Sequence, residues 1–363
     1  MMSTRSIQPV VWQRWFVGIA AVGIGLIILV QGRVFLIPLA IALLLFSLMS
    51  AARDRIAALR IGSLEMPNWL ASLIGIVMVI AAVLTVFRII AGQIDAVMAA
   101  GPSYLARAQQ LITSIFAWLD EDVAAGLVAV LEQINLAAYI PVLAGSTGYI
   151  VATAILIVLY IGFLFAERAS FPGKLAKLFP DVNRAAHVDR IVQSITWNVH
   201  RYVLIKTIIS VLTGLLVYLV MLLFGLEFAE TWALLTVFLN FIPNIGSIVA
   251  TLFPTLAALV QFDSWTPVLL IFTIITLIQF SVGNLIEPQL MGRSLNLSPF
   301  VIILSLTFWG AIWGIVGMFL AVPIMVMVMI ACSHVPFLHP IAILLSRDGV
   351  PMAVEEPRLR PKK

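Results

Sequence analysis

The chain has 363 residues, of which 62% are hydrophobic and 10% charged, with a formal net charge of +4 and a mean hydropathy of +1.12. Soluble domains carry about 25% charged residues, so this composition excludes a water-soluble globular protein and specifies a polytopic membrane protein. The single Cys332 excludes an internal disulfide, the four histidines lack metal-ligand spacing, and the basic residues stand in loops without interleaved aromatics, so neither a metal, a cofactor nor nucleic acid is expected.

In chain order, Arg5 and Arg14 lead into an apolar run at 15–30 that superficially resembles a signal peptide. Gln31, Gly32 and Arg33 then form a polar turn, and 34–49 is a second apolar span, so the pair reads as a helical hairpin rather than a removed leader. Arg53, Arg55 and Arg60 follow and mark the cytoplasmic side, which puts the N-terminus inside as well. A third span covers 69–90, with Trp69 at the interface and Arg88 able to snorkel at the far end. Residues 92–147 carry one basic residue, Arg107, against Asp95, Asp120, Glu121, Asp122 and Glu132, which places them outside. Within them Leu105, Ala108, Leu111, Ile112, Ile115, Phe116 and Leu119 recur at helical spacing and predict amphipathic helices.

A fourth span at 148–165 returns the chain to a loop at 167–200 that carries Arg168, Lys174, Lys177, Arg184 and Arg190. This loop reads as a topological anchor, with membrane lipid of anionic character as a second reading. Val188, Ile191, Val192 and Ile195 predict a short amphipathic helix leading into a fifth span at 202–224. Between Lys206 and Arg293 there is no Lys or Arg.

The segment 231–262 contains 32 residues and no charge, whereas roughly 20 helical residues cross a bilayer core. Something must break it. Pro243 removes a backbone donor, Gly246 lets the chain turn sharply, and Asn240, Asn244 and Ser247 can satisfy the freed polar groups. Two half-helices meeting near mid-membrane are predicted. In secondary transporters such breaks form the substrate or ion site; the alternative is that these residues cap a turn at the membrane surface. A seventh run at 265–286 ends in Asn284, Glu287 and Pro288, Glu287 being the only acidic residue between Asp263 and Asp348. Glu287 reads either as an interfacial partner of Arg293 or as a proton or cation site facing a cavity. From 300 to 332 there are 33 uncharged residues interrupted by Gly310, Gly314, Gly317 and Pro323, which again demands a break or a steep tilt. Gly310 and Gly314 form a GxxxG, read as close helix packing.

Five crossings put residue 226 outside. One full span at 265–286 plus two re-entrant hairpins, or short complete crossings in place of either, return the basic tail with Arg358, Arg360, Lys362 and Lys363 to the cytoplasm. The expected fold class is thus an all-α polytopic membrane protein of about eight hydrophobic segments, two of them interrupted in the C-terminal half, with an extracytoplasmic helical insertion. Its expected division is 1–91 for the first three membrane helices, 92–147 for the insertion, 148–334 for a core transport domain and 335–363 for a cytoplasmic tail. A secondary transporter explains the paired breaks, and an oligomeric channel would use them as filter elements. No P-loop, His-Glu-x-x-His or Gly-x-Ser-x-Gly pattern is present, so no enzyme is expected. The lack of basic residues around the break favours a neutral polar solute or small cation, with H+ or Na+ as candidate coupling ions.

The runs 239–253, 284–299 and 309–323 together resemble the autoinducer-2 exporter family of bacterial permeases, most strongly over 148–334. That resemblance implies an inner-membrane, homo-oligomeric protein that exports a small solute; members are also linked to cation and proton antiport.

Overall fold

The computed structural model describes residues 9–57, 68–116, 126, 129, 136–168, 170–179, 181–291 and 296–350. Its long elements are all helices: α1 Pro9–Gln31, α2 Arg33–Ala57, α3 Asn68–Phe116, α4 Leu136–Arg168, α5 Phe171–Leu178, α6 Val182–Phe224, α7 Ala229–Leu239, α8 Ile245–Gln261, α9 Trp265–Ser281, α10 Glu287–Met291, α11 Pro299–His334 and α12 His339–Leu345. Among the described residues, five stretches are long and apolar enough to cross a membrane, in α2, α4, α6, α9 with its continuation, and α11. The fold is an all-α polytopic membrane protein.

α1 and α2 meet at Gly32 as the sequence suggests, but α1 is largely free of packing, and Phe16, Ile19, Val22, Ile24 and Ile27 are exposed around it as on a lipid-facing helix. It is pinned at its far end, where Trp313 Nε1 donates to the Leu29 carbonyl at 3.0 Å. α3 runs unbroken for 49 residues, a length of about 74 Å at 1.5 Å per residue. The region expected outside therefore begins as a continuation of the third span, and Leu105, Ala108, Leu111 and Ile112 form its half-buried face.

α6 is the spine. Asp181 caps its start through a bond from Asn183 N at 2.9 Å, and Gly225 ends it in the left-handed conformation at φ 68, where glycine carries no Cβ penalty. The lead-in helix and the fifth span are one element, because no residue between 182 and 224 breaks the backbone ladder. Its N-terminal half, with Val199, Tyr202 and Val203, packs with Leu44 of α2 and with α11; its C-terminal half, with Val217 and Met221, packs with α8 and α9.

The interrupted segment 231–262 folds back on itself. Its two ends are held side by side: Gln261 Nε2 donates to the Gly225 carbonyl at 2.8 Å, and its Oε1 accepts from Glu227 N at 2.7 Å. α7 and α8 are thus a re-entrant hairpin whose roots lie at one side of the molecule. α3 clasps those roots, with Tyr104 donating to Glu227 Oε2 at 3.0 Å and Arg107 donating to the Gln261 carbonyl at 2.7 Å. Burial and the bond to Glu227 hold the Tyr104 hydroxyl above its ordinary value. The stability it contributes is therefore full below about pH 10 and is lost as pH rises further. Gln261→Ala removes two side-chain bonds to turn backbone and should lower stability by about 1–2 kcal/mol, read as a drop in Tm with earlier protease cleavage near residue 226.

α11 hides a second hairpin. Its 36 residues are helical throughout except at Gly314, which has φ 62 and ψ −143. Ser305 Oγ donates to the Ala321 carbonyl at 3.3 Å across 16 residues, which in a straight helix would lie about 24 Å apart. The two arms therefore run antiparallel. Its roots are tied by an antiparallel bridge between Leu297 and Ser346 and by Ser298 N donating to the Leu345 carbonyl at 2.9 Å. α9 carries the chain from the roots of the first hairpin to those of the second, so the two enter from opposite sides. The described segment from 229 to 334 thus consists of two folded-back hairpins joined by one long apolar helix. In a Cys332→Ser background, a cysteine at Asp120 should react with a membrane-impermeant maleimide in intact cells and one at Pro180 should not. The reverse pattern overturns the orientation.

Candidate functional site

Lys206, Ser210 and Thr213 fall at i, i+4 and i+7 on α6 and so share one face. All three are buried, between the two apolar halves of the spine. Two other elements converge on them. From the first hairpin, Asn240 Nδ2 donates to Ser210 Oγ at 3.3 Å and Thr213 Oγ1 at 3.5 Å. From the end of the seventh run, Glu287 Oε1 accepts from Lys206 Nζ at 2.5 Å, with the side chains 22% and 3% exposed. The arrangement is a polar seam along the middle of one helix, closed by a neutralised ion pair at one end and an amide–hydroxyl cluster at the other.

The break presenting Asn240 is tight. Ile245 N donates to the Pro243 carbonyl at 2.7 Å around Asn244, which has φ 62 and ψ −56. This is a γ-turn of the strained hand, and Ser247 Oγ bonds the Asn244 carbonyl at 2.9 Å. The sharp turn is thus made by Asn244 rather than Gly246. Gly246 serves close approach instead: a Cβ there would stand 1.7 Å from the Leu239 carbonyl oxygen. Asn240 is buried at the cluster, whereas the Asn244 side chain is exposed and Pro243 and Ser247 are half-buried.

Glu287 is placed by Pro288. A proline cannot donate to the carbonyl four residues back, and just before it the helix widens into a π-turn at Val282–Ile286, with Glu287 N bonding the Val282 carbonyl. π-bulges of this kind re-aim side chains, and here the carboxylate is delivered to α6. Asn284 and Pro288 are themselves exposed; the Asn284 amide bonds the Phe280 carbonyl at 3.1 Å.

The two hairpin tips meet. Phe241 stacks on Phe319 with ring centroids 4.4 Å apart, and Ile242 shares a packed cluster with Leu306 and Ala321, flanked by Leu239, Trp309 and Met318. Gly310 and Gly317 let the arms of the second hairpin close: their Cβ atoms would stand 2.8 Å from Met318 Cε and 1.9 Å from the Trp309 carbonyl oxygen. Of the GxxxG pair only Gly310 packs closely inside the hairpin, whereas Gly314 forms the bend with open space around it, and Pro323 is buried in the return arm.

One expectation needs correction: the site does not lack a basic residue, because Lys206 faces it from the spine. The described partner of Glu287 is Lys206, while Arg293, named in one of the two readings of Glu287 from sequence, lies outside the described residues. The missed signal was available, since Lys206 stands inside the fifth apolar span and ionisable residues there default to function. Ser210 and Thr213 follow from it by helical spacing.

The model of the AI-2E family transporter matches residues 17–337. The chain belongs to this family. Similar proteins include the AI-2 transport protein TqsA of Escherichia coli, 38% identical over 192 residues that make up 53% of this chain and 54% of TqsA. A protein of Borreliella burgdorferi named for transport is 34% identical over 227 residues, 61% of this chain and 62% of its own length. A similarly named protein of Haemophilus influenzae is 34% identical over 201 residues, 54% of this chain and 56% of its own. The chain thus matches between half and two thirds of each of these relatives. The family match takes in the spine, both hairpins and the Lys206–Glu287 pair.

Proposed function

We propose that the protein is a secondary transporter that moves a small polar solute past the break at Asn240 to Ser247, with the Lys206–Glu287 pair coupling that movement to protons or cations. The observation that carries this reading is the meeting of two folded-back hairpins, entering from opposite sides, beside a buried polar seam on α6. Broken elements from opposite sides give each face of a membrane a route to one midplane site, which is what alternating access needs. The name of TqsA, an AI-2 transport protein, supports a small-molecule solute. The ion pair supports coupling because a proton or cation taken up by Glu287 frees Lys206, changing what holds α10 to the spine. The basic inner loops and the bacterial relatives support a bacterial cytoplasmic membrane with both termini inside, and the family resemblance supports a homo-oligomer.

Purified protein in proteoliposomes should give saturable counterflow of a labelled solute; unsaturable single-channel current would instead make it a pore. Asn240→Leu keeps the apolar span but deletes the amide at the break, and should reduce counterflow about tenfold or more with expression intact. Asn244→Leu acts differently, through the positive φ of the γ-turn rather than through a lost amide, and its first effect falls on stability.

A further inference from the structure

Thr85, Arg88, Ile89, Gly92 and Gln93 recur three and four residues apart and so share one face of α3. With Glu230, from the first turn of α7, they line a cavity of about 480 Å³. It is lined by one cation and one anion, Arg88 and Glu230, both exposed. Neither is paired: among the described residues no ion pair or side-chain hydrogen bond joins them to each other or to a third group. Opposite charges that line one cavity without closing on each other leave room for a group that carries both signs. The cavity sits at the membrane boundary. Arg88 stands at the far end of the apolar span 69–90, and Gln93 lies about 16 Å along the helix from the clasp at Tyr104, at 1.5 Å per residue. From Arg88 back into the span, Leu84, Ile80 and Val77 form an exposed apolar stripe at helical spacing. Such a stripe is ordinary on a lipid-facing helix; its ending at a cavity with two unpaired charges is not.

We propose that this cavity binds the headgroup of a phosphatidylethanolamine molecule, with the phosphate on Arg88, the ammonium on Glu230 and an acyl chain along Leu84, Ile80 and Val77. The site is separate from the polar seam and stands whether the protein is a carrier or a pore. A guanidinium takes a phosphate through two parallel N–H bonds, and a primary ammonium offers three donors to a carboxylate. Thr85 Oγ1 donates its proton to the Ala81 carbonyl at 2.8 Å, so it meets the cavity as an acceptor and suits the same ammonium. Phosphatidylcholine has no N–H to give Glu230, and phosphatidylglycerol brings a negative charge with no cation to offset it. The apolar stripe favours a lipid over a soluble zwitterion. Because Glu230 opens α7, a lipid bridging it to Arg88 ties the root of the first hairpin to α3, and α7 ends at Asn240. Lipid composition thereby reaches the break.

The test is native mass spectrometry of the full chain, delipidated in detergent and titrated with dioleoyl phosphatidylethanolamine, phosphatidylcholine, phosphatidylglycerol and soluble glycerophosphoethanolamine. Wild type should retain one phosphatidylethanolamine per chain about tenfold more tightly than either other lipid. Arg88→Gln should weaken phosphatidylethanolamine and phosphatidylglycerol alike. Glu230→Gln should weaken phosphatidylethanolamine about tenfold yet strengthen phosphatidylglycerol, because it removes a like charge; a merely structural role would not give that reversal. Both side chains are exposed and unpaired, so the lipid-free variants should keep the wild-type Tm, and only phosphatidylethanolamine should raise the Tm of wild type above that of both variants. Equal retention of the three lipids, unchanged in either variant, means nonspecific boundary lipid and overturns the site. Glycerophosphoethanolamine held as tightly as the lipid removes the acyl-chain contact and overturns the lipid assignment. A lower lipid-free Tm in both variants with lipid preference unchanged makes the two charges structural and overturns the proposal as well.

Discussion

Glu287→Gln should destabilise the protein more than removal of both members of its ion pair. Lys206 is almost wholly enclosed and Glu287 is its described counter-charge at 2.5 Å, so neutralising the carboxylate strands an ammonium inside the helix bundle. Breaking a buried pair from one side costs about 3–5 kcal/mol, whereas replacing both members by apolar residues of similar volume is often neutral or stabilising. Lys206→Met is the milder single change, because the Glu287 side chain retains 22% exposure and can turn toward water. The double variant Lys206→Met with Glu287→Leu should regain wild-type stability or better. Thermal denaturation of the four proteins gives the coupling directly as a double-mutant cycle. If the double variant is as unstable as Glu287→Gln, the two side chains are not an energetic unit. The same variant separates stability from function: it should fold, yet its counterflow should no longer change with external pH. A retained pH profile would move the coupling away from this pair.

The hairpins were legible in the sequence because bilayer thickness converts apolar length into a demand for a break or a tilt, and the two over-long runs meet that demand with turns at Asn244 and Gly314. Glu287 was legible as a lone charge. What the sequence left open was its partner, because side chains 81 positions apart are brought together by the packing of separate helices, which no local pattern records. Arg293, six positions away, was the nearer choice in sequence. Lys206 was overlooked because it sits between apolar stretches that satisfy a membrane-span reading on their own; the face it shares with Ser210 and Thr213 becomes meaningful only once Asn240 approaches it. The role of Gly246 was misjudged for a related reason. A glycine three residues after a proline suggests a turn, yet the positive φ falls on Asn244, and the glycine is needed where two backbones nearly touch.

Gly246→Ala and Gly317→Ala should each prevent accumulation of folded protein, although alanine is ordinarily the best helix former. In both, the added Cβ meets backbone rather than a movable side chain: 1.7 Å from the Leu239 carbonyl oxygen in the first hairpin and 1.9 Å from the Trp309 carbonyl oxygen in the second. Relief requires the arms to separate by more than an ångström, which would pull Asn240 from α6 and part the Phe241–Phe319 stack. A graded series checks that reasoning. Gly314→Ala has open space around its Cβ but φ 62, in a region that only glycine populates readily, so it should cost about 1–3 kcal/mol through strain alone. Gly310→Ala meets the flexible Met318 side chain at 2.8 Å and should be the best tolerated, at about 1 kcal/mol. Expression, size-exclusion profile and Tm should therefore rank Gly310→Ala above Gly314→Ala, with Gly246→Ala and Gly317→Ala last. Near-native Tm in either of the last two would mean that the arms of that hairpin are splayed, and the tip-to-tip contact beside the proposed transport site would go with it.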